Sequence, residues 1–217
     1  MTCVGHSACR HNGPGGAAKG YHDAGFEVTG VDLAPQPRYP YLFFQADALE
    51  FLEAFGGEFD LIHASPPCQR YTKAQQIRGR EHPDVIEPLR ALLVATGRPY
   101  VIENVPGAPL LAPVELCGSM FGRRTYRHRR FETSFPVGVP HHPRHLAPNA
   151  KMGRPVREGE FMHIVGNFSN VPLAREVMEM PWATREGLRE AIPPAYTRHI
   201  AREFLAQHPV RQETACA

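Results

Sequence analysis

Two short apolar runs each end at a residue that can do chemistry. The run at 59–64 stops at the Ser-Pro-Pro of 65–67, which cannot continue a β ladder and therefore places Cys68 on a stiff loop. The run at 100–105 carries Glu103 near its carboxyl end. Ligands of open α/β sheets bind at the carboxyl ends of the strands, so we expect Cys68 and Glu103 to face one cleft. A thiol and a carboxylate placed in this way suit covalent attack on a ring that must also be protonated.

A glycine-rich segment at 13–20 precedes another apolar run at 26–31, and Asp32 follows that run. Glycines let the backbone pass close to a ligand, and the alanines among them can open a helix, although a plain loop has the same composition. An acidic side chain about 20 residues further on, at the end of a strand, can accept hydrogen bonds from ribose hydroxyls. The pattern predicts a nucleotide-type cofactor beside Asp32.

Strand and helix patterns alternate along the first half of the chain, which predicts an α/β fold with a parallel sheet and right-handed crossovers. We expect strands at 26–31, 41–44, 59–64, 100–105 and 161–165, and helices at 48–55, 84–96, 184–191 and from 193 onward. Asp47 either caps the first of these helices or binds a ligand amine. Residues 1–12 show no clean alternation, and their composition favours a disordered start.

The composition limits the size of the protein and its partners. A chain of 217 residues fits one domain, or one domain with a small appendage. The net charge of +2 gives no global field for nucleic acid, so attraction must come from local patches. Arginines at 123–130 form one such patch, which is either a solvated basic face or a binding surface, and in a strand Arg127 and Arg129 would point the same way.

The sequence also bears on the compartment. No apolar run approaches the ~20 residues needed to span a bilayer, so we expect no membrane partner. Five scattered cysteines and the lack of a signal-peptide pattern favour a reducing cytoplasm. His141, His142 and His145 invite a zinc interpretation, but no second ligand pair at finger-like spacing accompanies them, so the sequence predicts no metal.

The Pro-Cys-Gln of 67–69 followed by the Glu-Asn-Val of 103–105 resembles the motifs of the cytosine carbon-5 DNA methyltransferase family. The similarity extends from Gly13 to about Leu205, and the short chain looks like the compact members that bacteriophages encode. It implies a Rossmann-like S-adenosylmethionine-dependent methyltransferase fold, with a mostly parallel sheet and a very small target-recognition insertion. The implied organisation is a cofactor-binding and catalytic core at 1–131, an insertion at 132–170, and C-terminal helices at 171–217 that complete the core.

The resemblance also implies roles for single residues, with S-adenosylmethionine as cofactor and double-stranded DNA as partner of a cytoplasmic monomer. The catalytic residues would be Cys68, Glu103, Arg127 and Arg129. The cofactor-binding residues would be Gly13, Pro14, Gly15, Gly16, Asp32, Leu33, Asp47, Ala48 and Pro67. The DNA contacts would be Gln69, Arg123, Arg124 and Arg130. Residues 193–197 stand where the family has the segment that closes the cofactor site.

The chain departs from the family before Gly13. The family writes Asp-x-Phe-Cys-Gly there, whereas residues 9–13 read Cys-Arg-His-Asn-Gly. Loss of the acid and of the aromatic at His11 predicts weak binding of S-adenosylmethionine, and the abrupt boundary suggests a frameshift or a mistaken start. Three alternatives stay open: an inactive relative that still binds DNA, a tRNA cytosine methyltransferase, and a nucleotide-level enzyme of the thymidylate synthase type. In the last type His follows the cysteine, where this chain has Gln69.

Overall fold

The computed structural model describes residues 15–71 and 84–208, together with Thr2–His6; for Thr2–His6 and Gln69 it describes the backbone alone. The strands are β1 (Thr2–His6), β2 (Glu27–Asp32), β3 (Leu42–Gln45), β4 (Leu61–Ala64), β5 (Tyr100–Asn104), β6 (Val114–Leu116) and β7 (Arg129–Thr133). The α-helices are α1 (Gly16–Asp23), α2 (Ala48–Phe55), α3 (Ile86–Ala95), α4 (Val171–Val177), α5 (Arg185–Glu190) and α6 (Pro194–Gln207). Short 3-10 helices lie at Gly56–Glu58, Gln69–Tyr71 and Gly118–Phe121.

The described strands form one sheet in the order β3-β2-β1-β4-β5-β7-β6. Strand β1 pairs in parallel with β2 and β4, and the β2–β3 and β4–β5 pairs are also parallel. Strand β7 runs antiparallel to both β5 and β6. The result is an α/β fold with a mixed sheet, compatible with a Rossmann-like fold. Its strand order reverses between β1 and β4, and the crevice at the carboxyl ends there is the usual ligand site of such sheets.

Apolar side chains fill both faces of the sheet. On one face, Tyr21 of α1 and Tyr196 of α6 pack with Phe131 of β7, and all three are fully buried. On the other face, Ile62 of β4 packs against the apolar side of α2 and against Leu93 of α3. A separate apolar cluster runs from Met162 to Ala191 and so joins residues 162–168 to helices α4 and α5.

Helices α1 and α6 touch at Gly20. A Cβ atom there would stand 2.0 Å from Oγ1 of Thr197 and 2.2 Å from the carbonyl oxygen of Pro194, so a glycine is needed for this approach. The Thr197 hydroxyl donates to the carbonyl of Ala17 across 2.8 Å. The last helix of the described chain is therefore fastened to the first.

Most local predictions are confirmed. The strands at 26–31, 41–44, 59–64 and 100–105 and the helices at 48–55, 84–96, 184–191 and from 193 appear within about two residues of their expected bounds. The prediction of a disordered start is wrong for Thr2–His6. These residues have weak strand propensity, but they pair with β2 on one side and β4 on the other. The prediction of a strand at 161–165 is also wrong, since Phe161 makes only an isolated bridge with Asn149. Helix α4 was not predicted from the sequence.

Candidate active site

The loop after β4 delivers Cys68 as expected. Residues 65–68 are irregular, and a 3-10 turn begins at Gln69. The side-chain amide of Asn104, at the end of β5, donates to the carbonyl of Pro66 across 3.0 Å, and its carbonyl oxygen accepts from the Val105 amide. This anchor ties the Cys68 loop to the neighbouring strand. The thiol itself is free and partly exposed.

Glu103 ends a buried chain of polar groups. Its Oε1 lies 3.0 Å from Nε of Arg129, and its carboxylate accepts a hydrogen bond from Ser65. The Ser65 hydroxyl lies 3.1 Å from Nε2 of His63, whose Nδ1 lies 3.0 Å from the Tyr21 hydroxyl. Because Ser65 donates to the carboxylate, its oxygen accepts from Nε2–H of His63, which leaves Nδ1 to accept from Tyr21. While Glu103 is ionised, the network therefore sets the tautomer of His63 as well as the direction of the Glu103 side chain.

The thiol and the carboxylate influence each other. Burial raises the pKa of Glu103, and Arg129, Ser65 and Arg127 oppose that rise. Burial and then the Glu103 charge raise the pKa of Cys68, whereas Arg129, a backbone hydrogen bond and Arg127 lower it. Two anions side by side in this cleft are therefore disfavoured. The thiolate is favoured once Glu103 holds a proton.

Arg127 is committed to the protein's own backbone. Its Nε donates to the carbonyl of Ala191 at 2.6 Å, its Nη1 to that of Ile164 at 2.8 Å, and its Nη2 to that of Arg189. Two of these carbonyls belong to the carboxyl end of α5, where cations are favoured. Burial lowers the pKa of Arg127 to about 9.

The expectation that Arg127 and Arg129 share one strand face is wrong. Strand β7 begins only at Arg129, and Arg127 lies before it with a φ of 23°, in the left-handed region. Both guanidinium groups still interact with Cys68 through their charge. A cavity of about 240 Å³ opens beside them and is lined by residues 125–129, Asn149 and residues 162–165.

Asp32 and Leu33 of the expected cofactor residues lie at the carboxyl end of β2, and Gly15 and Gly16 lie at the start of α1. Gly15 has a φ of 81° and precedes α1, while Gly13, Pro14 and His11 lie outside the described residues. The buried Asp32 accepts from the Ala34 amide at 2.9 Å and from the Gln36 side chain at 3.2 Å. Leu33 beside it is largely exposed. Pro67 is half-buried in the loop before Cys68.

Asp47 takes the first of its two expected roles. Its Oδ1 accepts from the amides of Leu49 at 2.8 Å and Glu50 at 3.3 Å, so it is the N-cap of α2. Ala48 is buried at the first position of the helix. The structure thus explains the carboxylate without a ligand.

Glu190, which the sequence did not single out, lies near the cofactor residues. Burial is the main cause that raises its pKa to about 7; Asp32 and Glu186 add to the rise, and Arg189 and Arg127 oppose it. Next to it, the carbonyl of Ile192 stands 2.3 Å from the position of a Cβ at Gly16. Residues 191 and 192 therefore cover the start of α1. In the sequence, the only indication of this cover was the position of the adjacent residues 193–197, which the resemblance assigns to closing the cofactor site.

The basic patch is divided among intramolecular contacts. Arg123 pairs with Glu179 at 3.1 Å, and Arg130 pairs with Glu115 at 2.8 Å. Arg124 donates to the carbonyl of Glu160 at 3.2 Å. The side chain of Gln69 lies outside the described residues. These arginines do not form one continuous free cationic surface.

No protein-family model matches the sequence, and a comparison with curated proteins found no match. Within the described residues, no helix is long and apolar enough to cross a membrane.

Proposed function

We propose that the protein is an S-adenosylmethionine-dependent methyltransferase that methylates carbon 5 of cytosine in DNA through a covalent adduct with Cys68. The observation that carries this proposal is the pairing of a partly exposed thiol with the buried Glu103 carboxylate at the ends of the adjacent strands β4 and β5. Arg129 completes the group by its ion pair with Glu103. The finer fold, a mostly parallel methyltransferase sheet with a small recognition insertion, belongs to the same proposal.

The residues of the cleft account for the covalent step. The Cys68 sulfur bonds to carbon 6, and the π electrons of the ring move toward carbon 5 while protonated Glu103 donates to the ring nitrogen. A protonated Glu103 also removes the charge that raises the pKa of Cys68. Protonated Glu103 therefore favours the thiolate before the attack, and its proton passes to the ring only as the sulfur bonds to carbon 6. After carbon 5 has taken the methyl group, its proton passes to water, the Cys68 sulfur leaves carbon 6 as a thiolate, and the ring nitrogen returns its proton to Glu103, which releases 5-methylcytosine.

S-adenosylmethionine would supply the methyl group. Gly15, with its positive φ, and the buried Asp32 stand at the edge of β1 and β2 where a nucleoside would lie. The Ala34 amide and the Gln36 side chain each donate to one oxygen of the Asp32 carboxylate and hold it in place. These residues fit the adenosine part of such a cofactor.

A cavity lies beside Arg127 and Arg129, but Cys68 and Glu103 are not among the residues that line it, so it flanks the proposed reacting centre rather than containing it. Its volume of about 240 Å³ lies below the ~300–1,000 Å³ of sites for drug-sized ligands. Arg129 lines this cavity and is also paired with Glu103, so it connects the cavity with the cleft of Cys68. Arg127 supports the wall of the cavity, because its guanidinium is held by the carbonyls of Ile164 and Ala191.

The test is a mechanism-based trap. Wild-type protein with S-adenosylmethionine and a duplex containing 5-fluorocytosine should form a covalent complex that survives denaturing electrophoresis, because fluorine cannot leave as a proton does. Cys68→Ser should form none. The same assay with a tRNA substrate separates the DNA enzyme from an RNA enzyme. A complex that persists in Cys68→Ser, or no complex with either nucleic acid, would refute the proposal.

A further inference from the structure

Four nitrogen and sulfur ligands converge away from the cleft of Cys68. One donor atom from each of Cys117, His128, His142 and His145 lies within 4.8 Å of all the others. The Cys117 sulfur is 3.4 Å from Nε2 of His145, and Nε2 of His128 is 3.3 Å from Nε2 of His142. Cys117 is buried and the two histidines of the loop are exposed, so the group opens to solvent on one side.

The fold places the first two donors opposite each other. In the antiparallel pair β6–β7, Leu116 stands opposite Arg129, so the next position outward brings Cys117 opposite His128. The contact continues into the connecting segment, where the Gly118 amide donates to the carbonyl of Tyr126 at 3.0 Å. This is the second ligand pair that the sequence did not reveal.

The insertion supplies the other two donors. His142 and His145 are three positions apart on the loop after β7. The Tyr126 ring stacks on His145 with 3.6 Å between ring centroids, and its hydroxyl donates to the carbonyl of Ala147 at 2.7 Å. These two contacts hold the loop over the end of the hairpin and turn His145 toward Cys117.

We propose that Cys117, His128, His142 and His145 bind one zinc ion as a closed tetrahedral site. Zinc ligands stand ~2.0–2.1 Å (nitrogen) and ~2.3 Å (sulfur) from the ion, which puts neighbouring ligand atoms of a tetrahedron ~3.3–3.6 Å apart. The two distances of 3.3 Å and 3.4 Å already match these edges. Thiolate and imidazole ligands select zinc over magnesium or calcium, which prefer oxygen. As the zinc–sulfur bond forms, the thiol gives its proton to solvent.

Four protein ligands leave no open position, so this zinc is structural. It joins the insertion to the hairpin at His128, the residue between Arg127 and Arg129. The ion would thus set the path of the chain through both arginines. The four donors converge in this way whether or not the protein transfers methyl groups.

The test is metal binding by the full chain. Wild-type protein dialysed with one equivalent of zinc and then against a weak chelator should retain about one zinc per chain by mass spectrometry. Cobalt(II) in place of zinc should give the intense visible bands of a tetrahedral site and a thiolate charge-transfer band. His142→Ala, at an exposed position, should weaken zinc binding by at least about tenfold, and Cys117→Ser should also abolish the thiolate band.

Matched controls exist on the same chain. His141→Ala changes the histidine next to His142, and Cys68→Ser removes the thiol of the other site; both should keep wild-type zinc content. Far-UV circular dichroism would establish that His142→Ala is folded. Three results would overturn the site: no retained zinc in the wild type, equal affinity of His142→Ala and His141→Ala, or weak binding of several ions without a charge-transfer band, which is the behaviour of scattered surface histidines.

Discussion

The side-chain amide of Asn104 donates a hydrogen bond to the main-chain carbonyl of Pro66 across 3.0 Å. This bond links the end of β5 to the loop that carries Cys68. The thiol therefore takes its position from two strands rather than from its own loop alone. Glu103, one residue before Asn104, is placed by the same strand, so one β5 terminus sets the distance between the acid and the nucleophile.

Removing this anchor should loosen the thiol. Asn104→Ala leaves the buried carbonyl of Pro66 without its donor, a loss of ~1–3 kcal/mol in the free energy of unfolding. We also expect faster alkylation of Cys68 by iodoacetamide and slower formation of the 5-fluorocytosine adduct. Asn167→Ala, which removes an exposed side chain bonded to Arg185, is the control and should leave both rates unchanged. Wild-type alkylation and adduct rates in Asn104→Ala would show that the loop holds itself.

Glu103→Gln should separate reactivity of the thiol from catalysis. The amide cannot protonate the ring, so methyl transfer should fall by ~100-fold or more. The same change removes the charge that raises the pKa of Cys68, so the pH at which alkylation is half-maximal should move down. Arg129→Gln removes a cation that lowers this pKa and should move the midpoint up. Midpoints that do not move in opposite directions would contradict the coupling of the three groups.

Glu190 should make stability depend on pH. Its folded pKa, about 7, lies above the ~4.3 of a free Glu, so the folded state holds the extra proton between these values. Its contribution to stability is complete below pH ~4 and is lost as the pH rises through 7. Glu190→Gln should therefore raise Tm over the wild type by a few degrees at pH 8 and by less at pH 5, measured by calorimetry. A difference in Tm that is equal at both pH values would mean that Glu190 does not titrate as stated.

Target recognition should be short or relaxed. Residues 132–170 leave little chain for reading bases, and His142 and His145 within them belong to the proposed zinc site. Arg123 and Arg130 are paired with acids, so phosphate binding must compete with those pairs and should weaken as salt is added. Bisulfite sequencing of DNA from cells that express the protein measures the target. Methylation confined to one motif of six or more bases would speak against this expectation.

Local sequence pattern was enough to predict the strands that precede Cys68 and carry Glu103. An apolar run that ends in prolines or polar residues indicates a strand without any information from the rest of the chain. The proposed zinc site was not predictable. Cys117 and His145 are 28 positions apart, and they meet only because the β6–β7 pair and the loop after β7 bring them together. The role of Arg127 was equally hidden, since its partners at 164, 189 and 191 are set by tertiary packing. Strand β1 was missed because its order comes from neighbours on both sides.

The contact between α1 and α6 also has a consequence for how the protein folds. The hydrogen bond from Thr197 to Ala17 closes a loop of 180 residues. Closure entropy grows only with the logarithm of loop length, so this costs little equilibrium stability. Closing this loop does delay folding, because contacts so distant in sequence form slowly. Until the contact forms, the side of α1 that carries Gly16 and Gly20 and the apolar residues beneath it are exposed. During that interval the unfinished sheet, rather than the finished protein, is the species most prone to aggregate.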